Sequence, residues 1–241
     1  MRLSIIIPAY NEERYLPDCL ASIQREIELS AKSEDVEILV IDNASTDRTG
    51  DAARAFSNVR VIREDTKGLT CARQRGLAAA SGDVLAFVDA DTRMPQGWIK
   101  QVMGVFKGCA ETVCVSGPYI YYDGSAIEGL LVGLYWRTLA LPAYWITRYM
   151  AVGGNFAARR EALLKIGGFD QGIAFYGEDT NIARRLAAVG KVKFYLRLPM
   201  YTSARRLHGE GVWRMALKYG ANFLSEVTLK RPVTSSYRDI R

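Results

Sequence analysis

Strand-like and helix-like segments alternate four times in the first 90 residues of this 241-residue chain, and that alternation limits the fold more than any other feature. Ser4–Ile7, Val36–Ile41, Val59–Ile62 and Val84–Val88 are short apolar runs, rich in β-branched residues, and read as buried strands. Between them, Leu16, Leu20, Ile23 and Ile27 recur at helical spacing. Ser45-Thr46-Asp47 caps a second helix that runs to about Phe56, and Leu69–Ala80 supplies a third. Ser81-Gly82 turns the chain into the fourth strand. Strands that alternate with helices pair in parallel and need helices on both faces. The expected class is therefore α/β, a mostly parallel sheet flanked by helices. Such sheets bind ligands at the carboxyl ends of their strands, where strand order reverses.

Composition removes several classes. Hydrophobic residues make up 49% and charged residues 24%, which excludes a disordered or collagen-like chain. Cys19, Cys71, Cys109 and Cys114 include no CxxC pair and read as reduced core thiols of a cytoplasmic protein. One histidine, His208, excludes a multi-histidine zinc site. The apolar run before Pro8 is too short for a signal peptide. Net charge is +6, which suits a phosphate-bearing ligand, an anionic membrane surface or nucleic acid. No basic run interleaved with aromatics supports nucleic acid. No GxGxxG follows the first strand and no GxxxxGK[ST] loop occurs, so neither a dinucleotide fold nor a P-loop is expected.

Three of the four strand ends carry acids or amides: Tyr10-Asn11-Glu12-Glu13 after the first, Asp42-Asn43 at the second and Asp89-Ala90-Asp91 after the fourth. Acids gathered this closely repel one another unless a cation joins them. With these pieces, and with Gly68 through Gly76, Gly153-Gly154-Asn155, Gly167-Gly168-Phe169 and Gly177-Glu178-Asp179 following in order, the chain resembles the family 2 glycosyltransferases of GT-A fold. The resemblance spans residues 3–190.

It implies a single domain over 1–241. Residues 1–95 would form the nucleotide-sugar-binding half, 96–210 the acceptor-binding half, and 211–241 a C-terminal helix and tail. Pro8, Tyr10, Glu12 and Asp42 would surround the nucleoside, Asp42 accepting from a base N–H or from ribose hydroxyls. Asn43 and Asn155 would also meet substrate. Lys67 and Arg73 would face the nucleotide or its phosphates. Asp89-Ala90-Asp91 is the DxD motif of the family; Asp91 would hold Mn2+ or Mg2+, and Asp89 would bind ribose or the metal. Asp179 would be the general base of an inverting transfer, with Glu178 orienting acceptor or sugar. Arg205 and Arg206 would meet the diphosphate from a mobile lid, and His208 would be a third metal ligand. The donor would be a nucleotide-diphosphate sugar, UDP-linked. The acceptor would be a hydroxyl of a saccharide or lipid-linked precursor, or alternatively a polyprenyl phosphate, which needs no base. A non-catalytic sugar-nucleotide-binding module is a further alternative. Ser203 through Trp213 lacks the Q/RxxRW motif of processive members, which favours transfer of one sugar.

Gly129–Thr147 holds one charge, Arg137, among Tyr135, Trp136, Tyr144 and Trp145. Arg137 and Pro142 oppose a spanning helix. The expectation is two short helices broken near Pro142. They either lie in the headgroup layer at the inner face of the cell membrane or pack on the sheet or in a homodimer interface. Lys230, Arg231, Arg238 and Arg241 would assist membrane contact.

Overall fold

The computed structural model describes residues 1–30, 35–173 and 176–230. All seven residues of β1 (Leu3–Ala9) are buried, as a strand covered on both faces must be. α1 (Leu16–Ser30) follows and seats Leu16, Leu20, Ile23 and Ile27 on the sheet, the stripe its spacing predicts. β2 (Val36–Asn43), α2 (Thr49–Arg54), β3 (Val59–Glu64), α3 (Leu69–Ala79) and β4 (Val84–Val88) complete the expected alternation. β2 and β4 flank β1 and β3 lies outside β2, all in parallel, so strand order reverses between β1 and β4. One local expectation shifts. α2 starts at Thr49, so Asp47 accepts the Thr49 N–H at 2.9 Å from ahead of the helix instead of capping it.

The second half extends the same sheet. β5 (Thr92–Arg93), α4 (Trp98–Gly108), β6 (Thr112–Ser116) and β7 (Tyr119–Tyr121) precede α5 (Ala126–Tyr135), a π-helical segment (Trp136–Ala140) and α6 (Leu141–Thr147). β8 (Asn155–Arg159) then runs antiparallel between β4 and β6. After α7 (Arg160–Lys165) and α8 (Glu178–Ala187), β9 (Lys191–Phe194) pairs in parallel with β6. The sheet order is β3-β2-β1-β4-β8-β6-β9. β10 (Met200–Thr202) joins β5 and β7 in a small second sheet, and α9 (Arg205–Glu210) and α10 (Val212–Leu229) follow. Period-two alternation splits β1 between two cores: Ile5 and Ile7 pack with Leu20 and Trp98, while Ile6 packs with Leu77 and Phe156. Cys19 and Cys114 are buried as expected, but Cys71 and Cys109 are only partly covered.

Asn155 holds the two sheets together. It is fully buried, accepts Trp98 Nε1–H at 2.9 Å and donates to the carbonyls of Pro118 and Leu198 at 3.1 and 2.9 Å. The resemblance puts this residue among those meeting substrate. Its two amide donors are instead spent on the polypeptide, because the turns before β7 and β10 expose carbonyls to the core there.

The stretch 129–147 forms a continuous helical ridge, not two helices broken at Pro142. Proline offers no N–H, and the chain widens into its π segment ahead of α6, which takes Pro142 in its first turn. Trp136 turns inward, donating to the Tyr119 carbonyl at 3.1 Å and stacking on Phe194, and Tyr144 reaches the Val192 carbonyl. Ile127, Leu130, Leu134, Leu139, Trp145 and Ile146 are exposed. No helix among the described residues is long and apolar enough to cross a membrane. Arg231, Arg238 and Arg241 lie outside the described residues.

Asn155→Ala should strand the Trp98 N–H and two carbonyls in the core, at a cost of roughly 3–5 kcal/mol. The urea midpoint of unfolding reads this directly; a midpoint equal to the parent's would refute the strut.

Candidate active site

The strand ends bring the acids together as expected, and three arginines meet them. Arg73 on α3 is 1% exposed. Its Nη2 donates to Asp89 Oδ1 at 3.3 Å, and its Nη1 lies 2.8 Å from Glu178 Oε2. The second Asp89 oxygen accepts the Tyr119 hydroxyl at 2.7 Å. One charge network thus runs from the DxD segment after β4 to the start of α8, where Asp179 follows Glu178. Gly153-Gly154 makes this approach possible. A Cβ at Gly154 would overlap the Asp89 carboxylate and the Tyr119 hydroxyl, and one at Gly153 would crowd Glu178 and Arg73.

Asp91 faces another way. Its Oδ2 accepts Arg205 Nε at 2.8 Å, and the same guanidinium forks onto Glu12 at 2.9 and 2.5 Å. Tyr15 lies beneath it, 4.6 Å from ring centre to guanidinium carbon. At the second strand end, Asp42 Oδ2 pairs with Arg63 at 3.0 Å. Lys67 lies 3.8 Å above the Tyr10 ring, so residues from two separate loops share one wall. Pro8 is buried in β1 opposite Ile41. Asn43 accepts the Gly68 N–H at 2.8 Å and donates to the carbonyls of Glu64 and Thr66. It therefore fixes the loop that carries Lys67.

A family model, glycosyl transferase family 2, matches residues 4–167. This chain belongs to glycosyl transferase family 2. Among curated relatives, it is 30% identical over 133 residues to glycosyltransferase GlyA of Streptococcus pneumoniae, a match covering 54% of this chain and 18% of that one. It is 28% identical over 223 residues to the dolichol-phosphate mannosyltransferase of Pyrococcus furiosus, covering 87% of this chain and 58% of the relative. The chain thus spans about a fifth of one of these relatives and under two thirds of the other. The mannosyltransferase of Pyrobaculum calidifontis, solved with GDP-Man and Mn2+, superimposes with a TM-score of 0.71 at 20% identity, over 95% of this chain and 63% of that one. TarS 1–349 of S. aureus with UDP-GlcNAc gives 0.71 at 17% identity, over 98% and 68%. The fold is GT-A.

Within this family 2 chain, the expected residues fall into two sets. Glu12, Asp91 and Arg205 form one ionic cluster; Arg73, Asp89 and Glu178 form the other. His208 instead pairs with Glu128 on α5 at 3.2 Å, and Arg206 lies 3.5 Å from Glu210. Among the described residues no group of three or more histidine, cysteine or acidic side chains could hold a metal ion, so Asp89, Asp91 and His208 do not converge as a ligand set. Tyr119, Arg63 and Tyr15 were not legible as site residues. Their only signal is their place in segments next to strand ends.

Desolvation by the surrounding protein raises the Asp179 carboxyl above the ordinary aspartate range, although Thr180 N–H donates to it at 2.7 Å. Burial also raises Glu178 and Asp91, against the opposing pull of Arg73 and Arg205 respectively. A carboxyl raised by folding loses stability as pH climbs from its unfolded to its folded pKa. Asp179→Asn should therefore melt higher than the parent at about pH 8, with the gap closing towards about pH 4. Equal melting temperatures at both pH values would mean that Asp179 carries no desolvation cost.

Proposed function

We propose that this chain is the catalytic unit of a divalent-cation-dependent, inverting glycosyltransferase. It moves one sugar from a UDP-linked donor to a hydroxyl of a saccharide or lipid-linked acceptor. The observation that carries the reading is the ionic network joining the DxD segment to Glu178-Asp179, which gathers Asp89, Glu178 and the raised Asp179 carboxyl on one side of the sheet. The choice of UDP leans on the S. aureus complex with UDP-GlcNAc, and GDP is the competing nucleotide because the Pyrobaculum protein holds GDP-Man.

In this reading Tyr10, Lys67 and Asp42 border the nucleoside. Asp91 and Glu12 are hard oxygen donors that already require a cationic partner, which suits Mn2+ or Mg2+. The ion supplies charge neutralisation at the departing diphosphate. Asp179 accepts the acceptor's hydroxyl proton as that oxygen attacks the anomeric carbon from the face opposite the leaving group. Glu178, held by Arg73, keeps the base-bearing turn in place. Asp91→Ala or EDTA should abolish transfer, and Asp179→Asn should cut it by about 100-fold or more with donor affinity nearly intact. Turnover indifferent to EDTA would remove the metal. The 28% identity to the dolichol-phosphate enzyme favours one second reading, a polyprenyl-phosphate acceptor. An Asp179→Asn variant within a few-fold of the parent would select it.

The ridge of α5 and α6 supports peripheral contact with the inner face of the cell membrane. Leu130, Leu134, Leu139 and Trp145 stand exposed, with Arg137 beside them able to meet headgroups. Anionic vesicles should sediment the parent at low salt and release Leu130→Glu/Trp145→Glu. Loss of a dimer in that variant, with no vesicle binding by the parent, would make the ridge a subunit interface.

A further inference from the structure

Asp89 is held at both its main chain and its side chain. Its carbonyl accepts the Thr92 N–H at 3.2 Å and the Thr92 hydroxyl at 2.7 Å, which fixes the backbone after β4. What remains is rotation of the carboxylate. Arg73 Nη2 reaches Oδ1 at 3.3 Å, a long bond from a guanidinium that also serves Glu178. The Tyr119 hydroxyl donates to Oδ2 at 2.7 Å, and this shorter bond sets the plane of the group. The Asp89 side chain is still 34% exposed. A carboxylate offers about four lone-pair sites, so the exposed part of the group keeps capacity for a ligand.

The Tyr119 hydroxyl serves Asp89 and not the cohesion of the fold. Its ring packs against the core of Ile5 and Trp98, and β7 is paired with β10, so a phenylalanine would fill the same place. The backbone is cleared for the bond: a Cβ at Gly154 would overlap both the Tyr119 oxygen and the Asp89 carboxylate. Tyr119 is also tied to the ridge. Its carbonyl accepts Trp136 Nε1–H at 3.1 Å, and the indole stacks on Phe194 of β9 with ring centres 5.6 Å apart. Ridge, small sheet and Asp89 are thus joined through one residue.

We propose that Tyr119 is a positioning residue for donor binding: its hydroxyl sets the Asp89 carboxylate, and its bond from Trp136 couples that setting to the helical ridge. A shift of the ridge moves β7, the hydroxyl leaves Oδ2, and the carboxylate is free to turn. A nucleotide that needs the carboxylate as it stands then loses affinity, and by linkage a bound nucleotide steadies the ridge. This rests on the reading of Asp89 as a donor-binding acid.

Nucleotide binding tests it without turnover. UDP and GDP, each with and without Mn2+, are titrated calorimetrically into the parent, Tyr119→Phe, Trp136→Phe and Asp89→Asn. The same titrations are made on the two double variants that join Tyr119→Phe to each of the others. Tyr119→Phe should bind nucleotide about 10-fold more weakly, with a melting temperature within about 3 °C of the parent. Trp136→Phe should lose about 2- to 5-fold. The losses should not add: Trp136→Phe should change nothing further in Tyr119→Phe, nor Tyr119→Phe in Asp89→Asn. Asp89→Glu keeps the charge that Arg73 requires and replaces the asparagine variant if that one does not fold. Unchanged affinity in Tyr119→Phe or Trp136→Phe, a Tyr119→Phe loss that persists in the Asp89 variant, or additive losses would each overturn the proposal. Nucleotide binding indifferent to the Asp89 substitution would overturn it together with the place of Asp89 in the donor site. Failure of glycosyl transfer with these binding results intact would count against the enzymatic reading alone.

Discussion

A guanidinium buried in the sheet's helical cover, that of Arg73, is the interaction on which the acidic centre depends. Asp89 and Glu178 come from elements far apart in sequence, and both would be driven apart by repulsion without it. A buried charge without partners costs far more than the pair gains, so Arg73, Asp89 and Glu178 are mutually obligatory. Their meeting fixes α3, the end of β4 and the start of α8 against one another. Tyr119 then locks the remaining Asp89 oxygen, which brings the small second sheet into the same arrangement.

That convergence is possible only where the backbone yields space. Gly153 and Gly154 lead into β8, the antiparallel strand that lets the second half enter a sheet begun by the first. Any side chain there would occupy the volume taken by the Asp89, Glu178 and Arg73 head groups. The adjacent Asn155 spends its amide on Trp98, Pro118 and Leu198, so three consecutive positions of one turn make room for the acidic centre and supply the strut between the sheets. Glu226 repeats the device further out. Fully buried on α10, it accepts from Asn181 and Arg184 of α8 and ties the C-terminal helix to the one that carries Asp179.

The centre and the exposed ridge are linked through the same few contacts. Glu128 closes a capping box at the start of α5 and also meets His208 of α9, whose first residue holds Asp91 and Glu12. Burial, and after it the neighbouring Asp179 carboxyl, raise the hydroxyl of Tyr135 at the end of α5 above the ordinary tyrosine range. An apolar ridge and an acidic pocket thus share a boundary.

By itself the sequence determined the parallel half of the fold. Strand runs such as Ile5-Ile6-Ile7 and the α1 stripe of Leu16, Leu20, Ile23 and Ile27 are local patterns, and burial of apolar faces leaves them few arrangements. It also determined which strand ends are acidic. Tertiary structure alone decided how those acids are partnered. Arg73 joining Asp89 to Glu178, Arg205 joining Glu12 to Asp91, and Asn155 turned into a strut all depend on contacts between residues tens to nearly two hundred positions apart. It likewise decided that Trp136 and Tyr144 face inward while Leu130 and Trp145 face out, because hydropathy gives the composition of a helix but not which neighbour will cover it. A charged side chain's role is set by what stands within about 4 Å of it, and chain order does not carry that distance.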